Sequence, residues 1–224
     1  MSSAQVNQLV RLLRTERVSK GSVSVWRVID ACRAFADLHP VISCPAERES
    51  TVDDDLRPLI LLDVDGVLNP WHKQGPHWLS VEAVCDGVAY PVVLNPEHGP
   101  MLLQLAQETD AELVWATTWQ EDANREIGPL VGLPELPVIA VNAGAGAPHV
   151  HPKTPPVAAY VNRRPFVWFD DDLERADRLY LKAHKNVDRF RIIDVGPRKG
   201  LRPLHVEQAA EWLTSFEEKS RVRG

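Results

Sequence analysis

Short apolar runs that alternate with helix-like segments constrain this fold more than any other feature of the sequence. Five runs have the character of strands buried on both faces: 59–62, 113–116, 137–141, 166–169 and 190–193. Segments with helical signals lie between or after them: Asn95–Glu108, with Asn95 as N-cap and Pro96 at the first helical position, and the regions near 120–131, 154–162, 173–185 and 205–218. This alternation predicts an α/β fold, a parallel sheet of about five strands with flanking helices. In such sheets, ligands bind beyond the carboxyl ends of the strands.

The first 57 residues have a different character from the rest of the chain. Apolar residues recur at helical spacing in residues 3–17 and again in 24–38. Residues 41–57 mix Pro, Glu and Ser with the aspartate run 53–55, which is typical of solvated charge in a linker. We therefore predict an N-terminal helical extension and linker over residues 1–57, followed by the α/β domain over 58–224.

Composition narrows the class of protein. Hydrophobic residues make up 44% of the 224 residues and charged residues 25%, the balance of a globular protein with a substantial core. The net charge of −6 does not indicate a general nucleic-acid binder, although a local basic patch remains compatible with it. The N-terminal region has no uninterrupted apolar stretch, and the three cysteines lack metal-like spacing. We expect a cytoplasmic protein with reduced thiols and no membrane segment.

Side chains that can perform chemistry follow three of the predicted strands. The carboxylates and hydroxyls that follow them are Asp63 and Asp65; Thr117 and Thr118; and Asp170, Asp171 and Asp172. In addition, one lysine, Lys153, lies ahead of the fourth run. Converging carboxylates repel one another and need a cation, and hard oxygen ligands suit Mg²⁺. A lysine adds positive charge for phosphoryl oxygens, and a threonine hydroxyl adds a hydrogen bond. The set predicts a magnesium-dependent phosphotransfer site, because that reaction needs mainly positioning and charge neutralisation.

Each of these pieces also has an ordinary structural interpretation. Asp-x-Asp-Gly often forms a solvated turn, a threonine after a strand often caps a helix, and a lysine is most often surface charge. The aspartates 170–172 would equally cap a helix that starts near Leu173. The functional interpretation is favoured because all four pieces occur in order, each at the predicted edge of the sheet.

The same segments resemble the four motifs of the haloacid dehalogenase (HAD) superfamily. Residues 61–67 are similar to its first motif, a hydrophobic strand followed by Asp-x-Asp-Gly, and 114–117 to its second. Lys153 is similar to the third motif, and 168–171 to the Asp-Asp form of the fourth. The resemblance covers about residues 58–216 and implies a Rossmann-like HAD core. The segments LVWATTWQEDANR, HPKTP, FVWFDDD and GPRKGLRPLHVEQAAEWL also resemble a bacterial subgroup that includes the HAD domains of RNA-repair proteins and stand-alone HAD proteins.

This resemblance implies a phosphatase that works through an aspartyl-phosphate. Asp63 would be the nucleophile, and Asp65 would protonate the leaving oxygen and then deprotonate the attacking water. Thr117 and Lys153 would hold the phosphoryl oxygens, with Thr118 as an alternative to Thr117. The second aspartate favours phosphatase chemistry within the superfamily.

The resemblance also implies the metal ligands. Mg²⁺ would be held by the Asp63 carboxylate, the Asp65 backbone carbonyl and Asp170. Asp171 would be a further ligand or would hydrogen-bond to the ligands. Because Asp172 is a third carboxylate in a row, either Asp171 or Asp172 could assist Asp170.

Little sequence is left to cover such a site. The interval 69–95 has room only for a minimal β-hairpin cap around the Asp86-Gly87 turn, and 142–152 is a Gly/Ala-rich loop. We therefore expect an open site that suits an extended substrate, such as a phosphorylated nucleic-acid end. Aromatic and histidine side chains would either line the entrance or pack the hairpin and core: Trp71, His72, His77, Trp78 and Trp119.

Several features keep alternatives open. Five cations would form a basic rim or simply remain solvated: Arg163, Arg164, Arg198, Lys199 and Arg202. His149 and His151 could form a metal pair, although loop histidines are usually solvated. The rival functions are a small-molecule or nucleotide phosphatase and a HAD-like binding module without turnover, and the N-terminal helices would suit docking or dimerisation. The sequence leaves the physiological substrate and the oligomeric state open.

Overall fold

A computed structural model describes residues 57–141 and 149–221, apart from the side chains of 216–221. The helices predicted at 3–17 and 24–38, the linker up to residue 56 and the loop segment 142–148 lie outside the described residues. The elements run in chain order as β1 (Leu59–Leu62), β2 (Leu79–Cys85), β3 (Val88–Leu94), α1 (His98–Glu108), β4 (Glu112–Trp115), a π-helical segment (Ala123–Ile127) that continues into α2 (Gly128–Val131), α3 (Thr154–Tyr160), β5 (Phe166–Asp170), α4 (Arg175–Ala183), β6 (Phe190–Asp194) and α5 (Pro203–Arg221).

The main sheet is parallel and has the strand order β4-β1-β5-β6. The chain moves outwards from β1 to β4 and then returns to the other side of β1 at β5. A crevice beyond the carboxyl ends of the strands forms where a parallel sheet reverses its order in this way. The predicted α/β fold with a parallel sheet is confirmed, and its reversal point lies at β1.

The third predicted strand, 137–141, is only a single parallel bridge between Val138 and Trp115 of β4. The N–H of Trp115 donates to the carbonyl of Pro137 at 2.8 Å, and the N–H of Ile139 donates to Trp115 at 2.9 Å. Because Pro137 has no N–H to donate, the ladder cannot continue with a hydrogen bond from this residue on the amino-terminal side of the bridge. The sheet therefore has four full strands and a short fifth contact.

The apolar run of β1 explains its central position. All four of its side chains are fully buried, and they alternate between the two faces of the sheet. Ile60 and Leu62 pack with α1 and α5 on one face, whereas Leu59 and Leu61 pack with α3 and α4 on the other. The result is a three-layer α/β/α arrangement, as expected for a strand that is apolar at every position.

The β2–β3 hairpin is antiparallel, as predicted, and its turn is formed by Asp86 and Gly87. Both residues have positive φ, 50° and 76°, which is the geometry of the type I′ turns that match strand twist. Ala83 and Val92 are buried in the core on the α1 side of the sheet, so one face of the hairpin packs onto the domain.

Helix boundaries differ from the sequence predictions in places. The predicted start of α1, with Asn95 as N-cap and Pro96 as first residue, is wrong because the helix begins at His98. The Asn95 side chain instead accepts a hydrogen bond from the N–H of Glu97 at 3.1 Å, which caps a turn ahead of the helix. Within the part of the chain that the structure describes, no helix is both long and apolar enough to cross a membrane.

Candidate active site

Three polar side chains lie at the carboxyl ends of adjacent strands, as the sheet topology requires. Asp63 follows β1, Thr117 follows β4, and Asp170 ends β5. The pairing of β1 with β5 continues to the N–H of Asp63, which donates to the carbonyl of Phe169 at 3.2 Å. All three side chains are buried, with exposures of 5%, 0% and 1%. Polar groups buried this completely need partners.

Carboxylates converge at this point. One oxygen each from Asp63, Asp170 and Asp171 lies within 4.8 Å of the others. Asp172 is exposed, and its backbone N–H donates to Asp170 Oδ1 at 3.0 Å. The geometry therefore places Asp171, rather than Asp172, beside the two buried aspartates.

Gly66 allows the loop after β1 to approach this cluster. Its φ is +69°, and a Cβ atom at this position would lie 2.1 Å from Cγ of Asp171. No side chain fits there, because both the backbone conformation and the contact require glycine.

The Lys153 ammonium bridges the two buried aspartates. It donates to Asp63 Oδ2 and, at 2.5 Å, to Asp170 Oδ2. The lysine side chain is itself only 2% exposed. Burial alone would lower its pKa, but the carboxylates of Asp63 and Asp170 raise the pKa above its usual range. The lysine therefore carries a fixed positive charge between the carboxylates.

One lysine does not balance the carboxylates. Burial raises the pKa of Asp63 to about 6, against the opposing effect of Lys153, and the charge of Asp170 adds to the rise. Burial and then the Asp63 charge raise the pKa of Asp171 to about 6. The cluster holds an excess of negative charge that a cation would relieve.

Thr117 and Thr118 have different surroundings. The Thr117 hydroxyl accepts the N–H of Trp119 at 3.3 Å, and it opposes the rise in the pKa of the nearby Asp63 carboxyl. Thr118 is exposed. The buried hydroxyl near Asp63 is therefore that of Thr117.

Asp65 is exposed, but two side-chain donors hold its carboxylate. The indole Nε1 of Trp119 donates to Oδ2 at 2.8 Å, and the amide of Asn69 donates to Oδ1 at 2.8 Å. The Asn69 carbonyl oxygen accepts the backbone N–H of Val93 in β3 at 2.9 Å. No sequence pattern selects Asn69, and Trp119 was compatible with either a site wall or core packing.

Comparison with protein families bears on this geometry. Residues 59–206 match the family model described as the HAD domain in Swiss Army Knife RNA repair proteins. The chain belongs to this HAD family. The match spans all four sequence motifs, including each buried residue of the cluster. A comparison with curated proteins finds no match.

A cleft in the HAD domain lies next to Asp65. It has a volume of about 470 Å³ and is lined by residues of the hairpin, the loop after β1 and the segment after β4: Asp65, Asn69, Cys85, Tyr90, Pro91, Thr118 and Trp119. The Tyr90 ring packs edge-on against Trp119, with ring centroids 6.3 Å apart. The cleft therefore adjoins the Asp65 carboxylate and has aromatic walls.

The loop that carries Lys153 is anchored by a residue that the sequence reasoning missed. Asp177 is 1% exposed, and its Oδ1 accepts the backbone N–H of His151 at 2.8 Å and the Thr154 hydroxyl at 2.7 Å. Its Oδ2 accepts the N–H of Glu174 at 2.9 Å within a capping box of α4. The Glu-x-x-Asp spacing of Glu174 and Asp177 is the sequence signal for this helix cap. The same Asp177 carboxylate also holds the loop that carries Lys153.

His149 and His151, considered above as an alternative metal pair, are not part of the acidic cluster. His149 is exposed, and among the described residues the three aspartates are the group with metal-ligand geometry. His151 Nδ1 accepts the backbone N–H of Lys153 at 3.2 Å, and its Nε2 lies 3.7 Å from Asp172. His151 therefore supports the loop.

The aromatic residues after the first motif separate into two kinds. Trp78 is buried and packs edge-on against His98, with ring centroids 5.3 Å apart, so it attaches the hairpin to the domain. Trp71 is 62% exposed, and His72 and His77 are exposed as well.

Of the two alternatives for the five cations, a single basic rim is not what the structure has. Arg163 and Arg164 precede β5 and so lie at the amino end of the sheet, where they pair with Asp188 at 3.1 Å and Glu112 at 2.7 Å. The other three cations follow β6 at the carboxyl end: Arg198, Lys199 and Arg202. The sequence could have separated these cations, because residues that precede a parallel strand lie at its amino end and residues that follow one lie at its carboxyl end.

Proposed function

We propose that this HAD domain is a phosphatase that hydrolyses phosphomonoesters through an aspartyl-phosphate on Asp63. The observation that carries the proposal is the buried convergence of Asp63, Asp170 and Asp171 around the Lys153 ammonium. Membership of the HAD family supports a HAD-type hydrolase. Burying charge at this density is costly for folding, and carboxylates with strongly raised pKa values cluster at binding and catalytic sites.

The donor set fits Mg²⁺. Three carboxylates offer hard oxygen atoms within 4.8 Å of one another, and their total charge exceeds that of Lys153. Asp63, Asp170 and Asp171 would hold the ion, together with the backbone carbonyl of Asp65. When bound, Mg²⁺ neutralises charge on the phosphoryl oxygens and on the carboxylates.

The first half-reaction transfers the phosphoryl group to the protein. A carboxylate oxygen of Asp63 attacks phosphorus, and the bond between phosphorus and the ester oxygen breaks. Asp65 donates its proton to that leaving oxygen. Lys153 and Thr117 hydrogen-bond to the phosphoryl oxygens and hold them for in-line attack.

The second half-reaction releases phosphate. The Asp65 carboxylate takes a proton from a water molecule, whose oxygen attacks phosphorus while the bond to Asp63 breaks. Asp63 returns as a carboxylate and Asp65 returns protonated. Asn69 and Trp119 orient Asp65 for both steps through their hydrogen bonds.

We propose an extended substrate, namely a phosphorylated nucleic-acid end. Between β1 and α1 the described chain forms only the β2–β3 hairpin, which is too small to enclose a substrate. A nucleotide or other small phosphate ester is the second candidate, and the aromatic cleft beside Asp65 favours it because a nucleoside leaving group would fit there.

Hydrolysis of a generic aryl phosphate with and without Mg²⁺ tests the proposal. We expect wild-type turnover that requires Mg²⁺, and loss of turnover in Asp63→Asn. Asp188→Asn is the matched control, because Asp188 pairs with Arg163 at the opposite end of the sheet. Absence of turnover in the wild type would favour a binding module, and full activity of Asp63→Asn would rule out the covalent mechanism.

A further inference from the structure

A second cleft lies beside the first-motif loop and contains an exposed tryptophan among cations. It has a volume of about 310 Å³ and is lined by residues of two loops: Trp71, Gly196, Pro197, Arg198, Lys199 and Arg202. The Trp71 side chain is 62% exposed, which is unusual for so large an apolar group. The Arg198 guanidinium lies 5.9 Å from the centre of the indole ring.

Hydrogen bonds and close packing hold the two loops together. The backbone N–H of Trp71 donates to Pro197 at 2.8 Å, and the Gln74 side chain donates to the carbonyl of Arg198 at 3.0 Å. Gly200 has a φ of +69°, and a Cβ there would lie 2.7 Å from the carbonyl oxygen of Val67. The tryptophan and the cations therefore belong to one continuous surface, which these contacts hold in place.

This cleft adjoins the acidic cluster. The N–H of Leu201 donates to the carbonyl of Val67 at 2.8 Å, and Val67 is four residues after Asp63. Four residues span at most about 14 Å, so the loop that carries Asp63 also forms one wall of the cleft. Both features lie beyond the carboxyl ends of the strands.

The cations of this cleft are available to a ligand. Among the described residues, no carboxylate lies within ion-pair distance of Arg198, Lys199 or Arg202, and all three are exposed. The Arg202 guanidinium contacts His205 Nε2 at 3.3 Å. By contrast, Arg178 on α4 pairs with Asp194. Three cations beside an exposed indole form a local basic surface on a chain of net charge −6.

We propose that this cleft binds one nucleotide of a single-stranded nucleic acid whose terminal phosphate reaches Asp63. The base stacks on Trp71, because every base offers a flat face to an aromatic ring. Arg198, Lys199 and Arg202 bind the adjoining phosphates. The proposal rests on the proposed phosphatase function and identifies the part of the molecule that recognises the substrate.

Binding of short single strands to the full chain in EDTA tests the cleft without turnover. RNA and DNA oligonucleotides, labelled at the end opposite the phosphate, are titrated by fluorescence anisotropy. We expect Trp71→Ala to weaken binding roughly 5- to 150-fold, the range for loss of one stacked base, and Trp71→Phe to weaken it less. An oligonucleotide with abasic sites keeps the phosphates but has no base to stack, so its affinity should not respond to Trp71→Ala.

The salt dependence of binding tests the cations separately. Replacing Arg198, Lys199 and Arg202 by alanine should reduce the slope of log K against log salt by about 2, since each phosphate contact on a single strand contributes about 0.7. The matched control is Lys182→Ala with Arg191→Ala, two cations that line a different cleft beside β6. The control variant should keep the wild-type slope and affinity.

Two results would overturn the proposal. One is Trp71→Ala binding oligonucleotides as tightly as the wild type, and the other is an equal loss for the intact and abasic strands. Hydrolysis of an aryl phosphate by the wild type in the presence of Mg²⁺ is measured in parallel. This second measurement distinguishes failure of the nucleotide cleft from failure of the phosphatase function. A wild type that binds through Trp71 but does not hydrolyse supports the cleft and removes the phosphatase. A wild type that hydrolyses but binds independently of Trp71 removes the cleft.

Discussion

The acidic cluster of this HAD domain depends on single residues that allow its charged side chains to lie close together. Asp63, Asp170 and Asp171 share a small volume with Lys153, and Gly66 lets the loop after β1 come against Asp171 without a side chain between them. A side chain at this glycine would displace a carboxylate from the cluster. The position of Asp171 therefore depends on a residue that takes no part in the chemistry.

We predict that Gly66→Ala lowers aryl-phosphate turnover about 100-fold or more. The new Cβ would lie 2.1 Å from Cγ of Asp171, so the carboxylate must move, and a shift of about 1 Å in a catalytic group costs roughly that factor. Steady-state kinetics with Mg²⁺ measure the effect.

Gly87→Ala is the matched control for Gly66→Ala. Gly87 also has a positive φ, +76°, but a Cβ there would meet nothing within 4 Å. The control should lose about 1–2 kcal/mol of stability from the backbone conformation and keep its turnover. Equal turnover in Gly66→Ala and Gly87→Ala would contradict the placement of Asp171.

Two structural elements meet at Asp65, namely the β2–β3 hairpin and the segment after β4. Asn69 connects the Asp65 carboxylate to the N–H of Val93 in β3, and Trp119 reaches it from the other side. The hairpin therefore does more than limit access to the site. It fixes the side chain that we propose as the acid and base.

We predict that Trp119→Phe lowers kcat about 3- to 10-fold and leaves KM for an aryl phosphate nearly unchanged. The substitution keeps most of the ring but removes the Nε1–H that donates to Asp65, a charge-assisted hydrogen bond at a partly exposed site. Trp78→Phe is the matched control, because Trp78 packs the hairpin against His98 and does not contact Asp65. An unchanged kcat in Trp119→Phe would show that this bond does not position Asp65.

Much of the architecture was predictable from the sequence because strand ends and polar residues coincide. A fully apolar run such as 59–62 is typical of a strand covered on both faces, and in a parallel sheet the residues that follow such runs meet at one edge. Asp63, Thr117 and Asp170 therefore came together as predicted, and the Asp-Gly turn at 86–87 predicted the hairpin.

The remaining features depend on contacts between distant segments. The bonds from Asn69 and Trp119 to Asp65 require the register of the hairpin, which no local pattern specifies. The run 137–141 was apolar enough for a strand, but it pairs through a single bridge, and Pro137 at its start has no N–H to extend the ladder. Helix α1 begins at His98 rather than at Pro96, because the Asn95 side chain accepts a hydrogen bond from Glu97 within a turn. An Asn-Pro pair favours such a turn as well as a helix start.

At the scale of the whole molecule, folding forces the carboxylates together at some cost. The pKa values of Asp63 and Asp171 rise to about 6 from an ordinary 3.8, so both groups bind protons more tightly in the folded chain than in the unfolded chain. Their contribution to stability is therefore present below about pH 4 and is lost as the pH rises through about 6. A cation at the cluster opposes this loss.

We predict that Mg²⁺ raises the Tm more at pH 7 than at pH 5. Mg²⁺ binds the ionised carboxylates, and at a concentration of about 100 Kd it adds about 2.7 kcal/mol, which is roughly 5–11 °C for a domain of this size. Thermal melts with Mg²⁺ or EDTA at the two pH values measure the difference. Asp171→Asn should shrink the shift at pH 7, whereas a Tm that does not respond to Mg²⁺ at either pH would contradict the metal site.

Direct detection of the phosphoryl group on the protein tests whether Asp63 forms an aspartyl-phosphate. An activated aryl phosphate needs little help from an acid to leave, so Asp65→Asn should still complete the first half-reaction. It should then hydrolyse the intermediate slowly, because it lacks the base for the second half-reaction. The variant is mixed with substrate and Mg²⁺, quenched in acid, digested and examined by mass spectrometry.

We predict one phosphoryl group in the peptide that contains Asp63, and none in the double variant Asp63→Asn with Asp65→Asn. A phosphoryl group on another residue, such as Asp170, would contradict the assignment of the nucleophile. Turnover by the wild type with no phosphorylated peptide in Asp65→Asn would contradict the covalent mechanism itself.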